Sequence, residues 1–358
     1  MIDYNSKQVT GSMKRITIRD VSERAGVSTA AVSYVLNGRE GKVSADTVAK
    51  VRKAAEELNY IPDFSARSLA NNKSKLIGVV IPQTEDRKQL LLQNPFYSEL
   101  ICGIEARLRQ SGYHMILSGV EKGEGYLDTS MQRNLDGAII TGIYQESFYE
   151  DLKKVRMPIV LIDSYIYDSH FDSVGIDDEL GGYMATKHFI ENGHANIALV
   201  TGLIRKDGVV EKRFLGYKRA LKESGLFYNP DYVFEHSVTY EYGQEAARHI
   251  ASNHPEITAI FATSDLMAMG AMQGIRDEGK EVPTNISVIG FDDISVARMC
   301  TPPLTTIKQD AIAKGIMAAE RLLAAIEHAD PSVPAVPKEP MAMPLALVER
   351  QSVRRQTF

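Results

Sequence analysis

The stretch STAAVSYVLNG, from Ser28 to Gly38, holds the first residues whose types and spacing could do chemistry. Ser28, Ser33 and Asn37 offer hydroxyl and amide groups suited to phosphate oxygens, and Thr29 and Tyr34, with the small Ala30 between them, suit base edges. Thr17, upstream, adds a hydroxyl to that set. A second group is scattered through the rest of the chain: Phe96, Tyr97, Asp163, Arg213, Ser264 and Asp292. Aspartate and arginine held together can bind vicinal hydroxyls, and an aromatic ring can cover an apolar sugar face. Each of these residues also has an ordinary structural use: capping a helix (Asp265 as well), filling a core, or meeting solvent.

The first group needs a recognition helix. In TIRDVSERAG, Ile18, Val21 and Ala25 share one helical face behind Thr17, and Gly26 closes the helix. Ser28 then caps a second helix with Ala31, Val32 and Val35 buried, ended by Asn37-Gly38. Ser44 caps a third, with Val48, Val51, Ala55 and Leu58 inside. Two short helices joined by a glycine turn make a helix-turn-helix. Its small core closes without Thr29, Ala30, Ser33 or Tyr34, which face outward at the end of the helix that enters a major groove. Beyond Pro62, SARSLANN is too short to stand alone as a helix. Either it is a solvated linker, or it is a hinge that folds on DNA with Leu69 as a minor-groove wedge and Arg67 beside it as a further DNA contact.

Charge supports that division. Lys14–Lys75 carries twelve Lys+Arg against seven Asp+Glu, whereas the remainder from Leu76 carries 28 against 38. A basic head on an acidic body fits a head that meets a polyanion. No window approaches about 18 consecutive apolar residues, so no membrane span is expected. The N-terminus lacks an apolar signal region, and the residues before Met13 carry no pattern, which makes Met13 a candidate start. Cys102 and Cys300 are expected as buried free thiols in a reducing cytoplasm.

The second group needs an α/β body. LIGVVIP, HMILSG, GAIIT, IVLID, IALVTG, ITAIFATS and ISVIGF read as strands. Helices such as YSELICGIEARLRQSGY and EKRFLGYKRALKESG alternate with them, predicting parallel sheets in two lobes. Ligands of such sheets sit beyond the carboxyl ends of the strands. Asp163, Ser264 and Asp292 follow strands, Arg213 opens a helix, and Phe96-Tyr97 start another. The glycines of GGYMATKHF lie within a helix and suit close packing. ADPSVPAVPKEPMAMP reads as an ordered proline-rich loop. There is no phosphate-binding GxxxxGK, no GxSxG, no HExxH and no His/Cys cluster among the eight histidines. No catalytic residue, metal or cofactor is therefore expected.

The blocks TIRDVSERAGVSTAAVSYVLNG and VSADTVAKVRKAAEELNYIPDFSARSLANNKSKLIGVVIP resemble the headpiece and hinge of the LacI–GalR family of bacterial repressors. The similarity continues to about Arg350. It implies an all-α helix-turn-helix headpiece (14–62), a hinge (63–75) and a two-lobed, periplasmic-binding-protein-like α/β core (76–350). Lobe one would span about 76–176 and 309–337, and lobe two about 177–308 and 338–350. It also implies effector contacts from Arg213 in RFLGY, Asp292 in GFDD and the aromatic pair Phe96-Tyr97, with Asp163 and Ser264 as weaker matches. Val238 stands where some members stack an aromatic on the ligand, Val209 where several carry a hydroxyl, and TEDRKQLLLQ looks like an insertion.

The expected protein is a sequence-specific repressor of a carbohydrate-utilisation operon. Its partners are double-stranded operator DNA and a small sugar or sugar phosphate. It is expected to be a homodimer rather than a tetramer, cytoplasmic and associated with the nucleoid. A protein corepressor or a purine-like ligand is the alternative controller. A solute-binding protein of transport is the alternative for the core, against which the basic head argues, and an enzyme finds no support among the motifs.

Overall fold

The computed structural model describes residues 16–60, 73–83, 91–121, 135–142, 148–155, 157–165, 170–328 and 340–356. The chain divides into two units, Met1–Ser74 and Lys75–Phe358. Arg67, Leu69 and most of the TEDRKQLLLQ and proline-rich stretches lie outside the described residues.

The first unit contains α1 (Ile18–Ala25), α2 (Thr29–Leu36) and α3 (Ala45–Glu57). Thr17 Oγ1 accepts from the Asp20 amide while the Asp20 carboxylate accepts from the Thr17 amide at 2.7 Å, a reciprocal cap that satisfies donors the first turn leaves open. Gly26, at φ +65°, takes the left-handed conformation that ends α1 and begins the turn. Ser28 caps α2 through the Ala31 amide, and Ser44 caps α3 through the Thr47 amide. Val21, Val32, Val35, Val51 and Ala54 form the buried centre, flanked by Ile18, Ala25, Val48, Ala55 and Leu58. Ala31, expected in the buried stripe, is only half-buried. Leu36 packs against the core as a further partly buried residue.

The second unit holds two six-stranded sheets. The first is built from β1 (Leu76–Gln83), β2 (His114–Glu121), β3 (Gly137–Thr141), β4 (Ile159–Ile162) and β5 (Asp172–Ile176), with α4 (Pro95–Gln110) and α5 (Phe148–Leu152) between them. After β5 the chain crosses to the second lobe: α6 (Asp178–Glu191), β6 (Ile197–Gly202), α7 (Val209–Glu223), β7 (Val233–His236), α8 (Tyr240–Asn253), β8 (Ala259–Ala262), α9 (Asp265–Asp277), β9 (Ser287–Asp292) and β10 (Thr305–Lys308). It returns with α10 (Ala311–Glu327) and ends in β11 (Met341–Met343) and β12 (Ala346–Val348). The sheet orders are β11-β5-β4-β3-β1-β2 and β12-β10-β9-β8-β6-β7. All pairings are parallel except β10 with β12. Each order reverses direction, between β1 and β3 and between β6 and β8, and a ligand crevice forms beyond such a reversal.

One lobe boundary needs correction. Residues 338–350 were expected wholly in lobe two, but β11 pairs with β5 of the first sheet, so the last crossover falls between Met343 and Ala346. Three residues extend an existing parallel edge at little entropic cost, which is why so short a strand forms there. The glycine expectation for α6 is met: a Cβ on Gly182 would lie 2.1 Å from the Arg213 carbonyl oxygen, and one on Gly216 would lie 2.0 Å from that of Glu179. The thiols depart from expectation, since Cys102 is exposed on α4 and Cys300 is half-buried.

Candidate functional site

On the headpiece, Ser28, Thr29 and Ala30 are exposed at the first turn of α2, and Ser33, Tyr34 and Asn37 are half-exposed. Ser28 Oγ accepts from the Ala31 amide at 3.2 Å, so it holds the helix end as well as presenting its hydroxyl. Asn37 Nδ2 donates to Ser33 Oγ at 3.1 Å, which fixes the two groups relative to each other one turn apart. The Lys42 ammonium sits 5.4 Å from the centre of the Tyr34 ring. Thr17 is engaged in its cap, its hydroxyl 2.6 Å from the Asp20 carboxylate. The result is a short polar helix face with a cation beside it, the chemistry of a groove-reading surface.

In the second unit the structure brings Asp163, Arg213 and Asp292 into one largely buried polar network, with Phe96 beside it. Arg213, in the second turn of α7 rather than at its start, donates from Nε to Asp178 Oδ1 at 2.8 Å and from Nη1 to the Thr263 carbonyl at 2.6 Å. Its Nη1 lies 3.9 Å from Asp292 Oδ1, and its guanidinium stacks 3.6 Å from the centre of the Phe291 ring. Asp292 Oδ1 accepts from Gln309 Nε2 at 2.6 Å. Lys314 Nζ donates to Gln309 Oε1 and, at 2.7 Å, to Asp163 Oδ1. Tyr165 donates to Asp178 Oδ2 at 2.6 Å. The network therefore begins at the carboxyl end of β4 with Asp163, crosses to the second sheet through Gln309 and Asp292, and returns to the first lobe at Tyr165.

Apolar packing runs alongside. Phe96, at the start of α4 behind the Asn94 cap, packs against the hydrophobic clusters of both lobes, with Tyr97 edge-on at 5.4 Å. The Lys314 ammonium is 5.6 Å from the Phe96 ring centre. Glu99 on α4 also accepts from the Ser295 amide of the other lobe at 2.9 Å.

Two features set this network apart from an ordinary folded core. Asp163 and Asp292 follow β4 and end β9 with φ of +51° and +117°, left-handed backbone that costs a non-glycine residue on the order of 1–3 kcal/mol. Burial also pushes the Asp292 carboxyl up to about 6, although Arg213 and the Gln309 hydrogen bond pull it down. Burial opposes the charge of Arg213, yet the Asp178 and Asp292 carboxylates hold the guanidinium above its usual range.

Ser264 is close by, but its buried hydroxyl accepts from the Met267 amide at 3.2 Å and caps α9. Asp265, weighed as that cap, instead accepts from the Thr306 hydroxyl and the Ile294 amide, tying β10 to the loop after β9. Sequence reasoning missed Lys314, Asp178, Gln309, Tyr165 and Thr141, whose buried Oγ1 finds no hydrogen-bond partner among the described residues. Lys314 had a legible signal: with Ala311, Gly315, Ala318, Ala319 and Leu322 it falls on the buried stripe of α10, a cation at core spacing.

A three-helix DNA-reading unit, together with a two-lobed α/β body that buries a polar network at the carboxyl ends of both sheets, defines a ligand-responsive DNA-binding regulator. Residues 17–63 match the description "Bacterial regulatory proteins, lacI family", and residues 186–353 match a periplasmic binding protein-like domain. The chain belongs to the lacI family of bacterial regulatory proteins. It is 36% identical over 346 residues to the HTH-type transcriptional repressor PurR of Glaesserella parasuis serovar 5, covering 94% of this chain and 98% of that one. It is 33% identical to the ribose operon repressor of Haemophilus influenzae, over 87% and 92% of the two chains. The lac repressor dimer bound to operator and the anti-inducer ONPF superposes with a TM-score of 0.81 at 29% identity, over 95% of this chain and all of that one. These relatives are repressors rather than enzymes. No described helix is long and apolar enough to cross a membrane.

Proposed function

We propose that this regulator represses a carbohydrate-utilisation operon and is released or engaged by a small sugar or sugar phosphate in the interlobe cleft. Arg213 carries this reading, since it is held by Asp178 and the Thr263 carbonyl beside the strained Asp292. Phe96 supplies an apolar face, Asp163 a second carboxylate, and Tyr97 and Ser264 support the rim. The ribose operon repressor among the relatives agrees with a sugar. Ser28, Thr29, Ala30, Ser33, Tyr34 and Asn37 are the groove and phosphate contacts, and Thr17 orders the helix that braces them. Arg67 and Leu69 form the hinge that orders on DNA.

Two headpieces reading a palindrome require a homodimer, which the lac repressor dimer on its operator supports. A DNA-binding protein of this kind works in the cytoplasm, on the nucleoid. Genome-wide pull-down of the full chain tests the proposal. Bound promoters should carry a shared palindrome and lie beside sugar-uptake or sugar-breakdown genes. Enrichment without a shared sequence, or beside unrelated genes, would count against it.

A further inference from the structure

We propose that the cleft takes an uncharged, hydroxyl-rich molecule and rejects its phosphorylated counterpart, because the buried cations there are already matched by carboxylates. This rests on the sensor reading and narrows its ligand. Lys314 is wholly buried, and its ammonium is bound to Asp163 and Gln309. Arg213 is paired with Asp178 and the Thr263 carbonyl. Asp292 is then a surplus carboxylate, with Arg213 Nη1 no nearer than 3.9 Å. Lys212, beside Arg213 on α7, lies 4.0 Å from both Asp207 and Glu211, so it brings no net positive charge.

The atoms left over point the same way. Among the described residues Asp163 Oδ2 and Asp292 Oδ2 accept no hydrogen bond, and Arg213 Nη2 donates none. The unpartnered Thr141 hydroxyl ends β3, in register with Ile162, the residue before Asp163. Two free acceptors, one free donor and one hydroxyl call for groups that both donate and accept, as sugar hydroxyls do. A phosphate carries about −1.5 to −2 charge at pH 7 and offers mainly acceptors. It would set charge against charge where solvent screens least. Lys314 is therefore a positioning residue: its hydrogen bond to Oδ1 holds Asp163 turned so that Oδ2 is free for the ligand.

Isothermal titration of the full chain with matched pairs decides this: ribose against ribose 5-phosphate, glucose against glucose 6-phosphate, with cellobiose, adenine and guanine alongside. At least one free sugar should bind, with its phosphate at least about a hundredfold weaker. Lys314→Met, checked for folding by circular dichroism, should weaken the free sugar about tenfold or more and leave the phosphate rejected. Asp163→Asn should weaken it similarly. Preferred binding of a phosphate or a purine base would overturn the proposal and leave the sensor reading standing. Loss of phosphate binding alone in Lys314→Met would overturn it too, since the lysine would then be a phosphate grip. Heat from none of the probes would overturn both this proposal and the sugar reading.

Discussion

Asp292 shows how a buried carboxylate costs stability. Its carboxyl is raised from the usual 3.8 to about 6 by burial, so the folded chain holds that proton more tightly than the unfolded one. Stability from this group is fully present below about pH 4 and is lost as pH rises through about 6, on the order of 2–3 kcal/mol in all. Asn mimics the protonated form and still accepts from Gln309. Asp292→Asn should therefore melt higher than wild type at pH 8, with the gap closing by pH 4.5, while sugar binding weakens about tenfold or more. A lower melting temperature for the variant at pH 8 would mean the charge stabilises the fold. At this scale the residues that follow strands were legible, because an aspartate after an apolar β-branched run announces a strand's carboxyl end. Asp178 and Tyr165 were not, because each gains its meaning only from a partner far along the chain.

Helix packing sets the positions of those residues. Gly182 brings α6 against α7 closely enough for Asp178 to reach Arg213. A methyl at Gly182 would meet backbone atoms of Arg213, which cannot swing aside as a side chain could. Gly182→Ala should cost about 1–3 kcal/mol or more, read as a lower melting temperature, together with weaker sugar binding. In the headpiece, Ser44→Ala removes the cap on the Thr47 amide together with the hydroxyl contact to Thr47 and should cost about 1 kcal/mol, measured by denaturant unfolding of the full chain. Leu69→Ala should weaken operator binding while scrambled-DNA affinity stays within about threefold, or under ~1 kcal/mol, by fluorescence anisotropy. Equal weakening on both DNAs would refute the wedge. The long apolar strands and capped helices were readable from local pattern. β5, β7, β10, β11 and β12 were not: DSVGI, VFEH and TTIK mix apolar residues with polar ones, MAM and ALV are apolar but only three residues long, and neighbouring strands recruit them.

At the scale of the whole molecule, reading DNA and sensing a ligand belong to separate units of one chain. The basic head and acidic body keep the polyanion contact in the head, so operator affinity should fall steeply with salt while sugar affinity should not. The two-lobed architecture was legible from strand–helix alternation. The last crossover was not, because it depends on which sheet edge captures three residues. The central claim is that the cleft controls the headpiece. The direct measurement is operator affinity of the full chain, by fluorescence anisotropy, with and without the sugar found by titration, for wild type and for Arg213→Ala shown to be folded. Wild type should change operator affinity about tenfold or more on sugar binding, a coupling of about 1.4 kcal/mol or greater. Arg213→Ala should keep its sugar-free operator affinity within about threefold and show no response. An undiminished response in Arg213→Ala, or a wild type indifferent to a sugar it binds, would contradict the account.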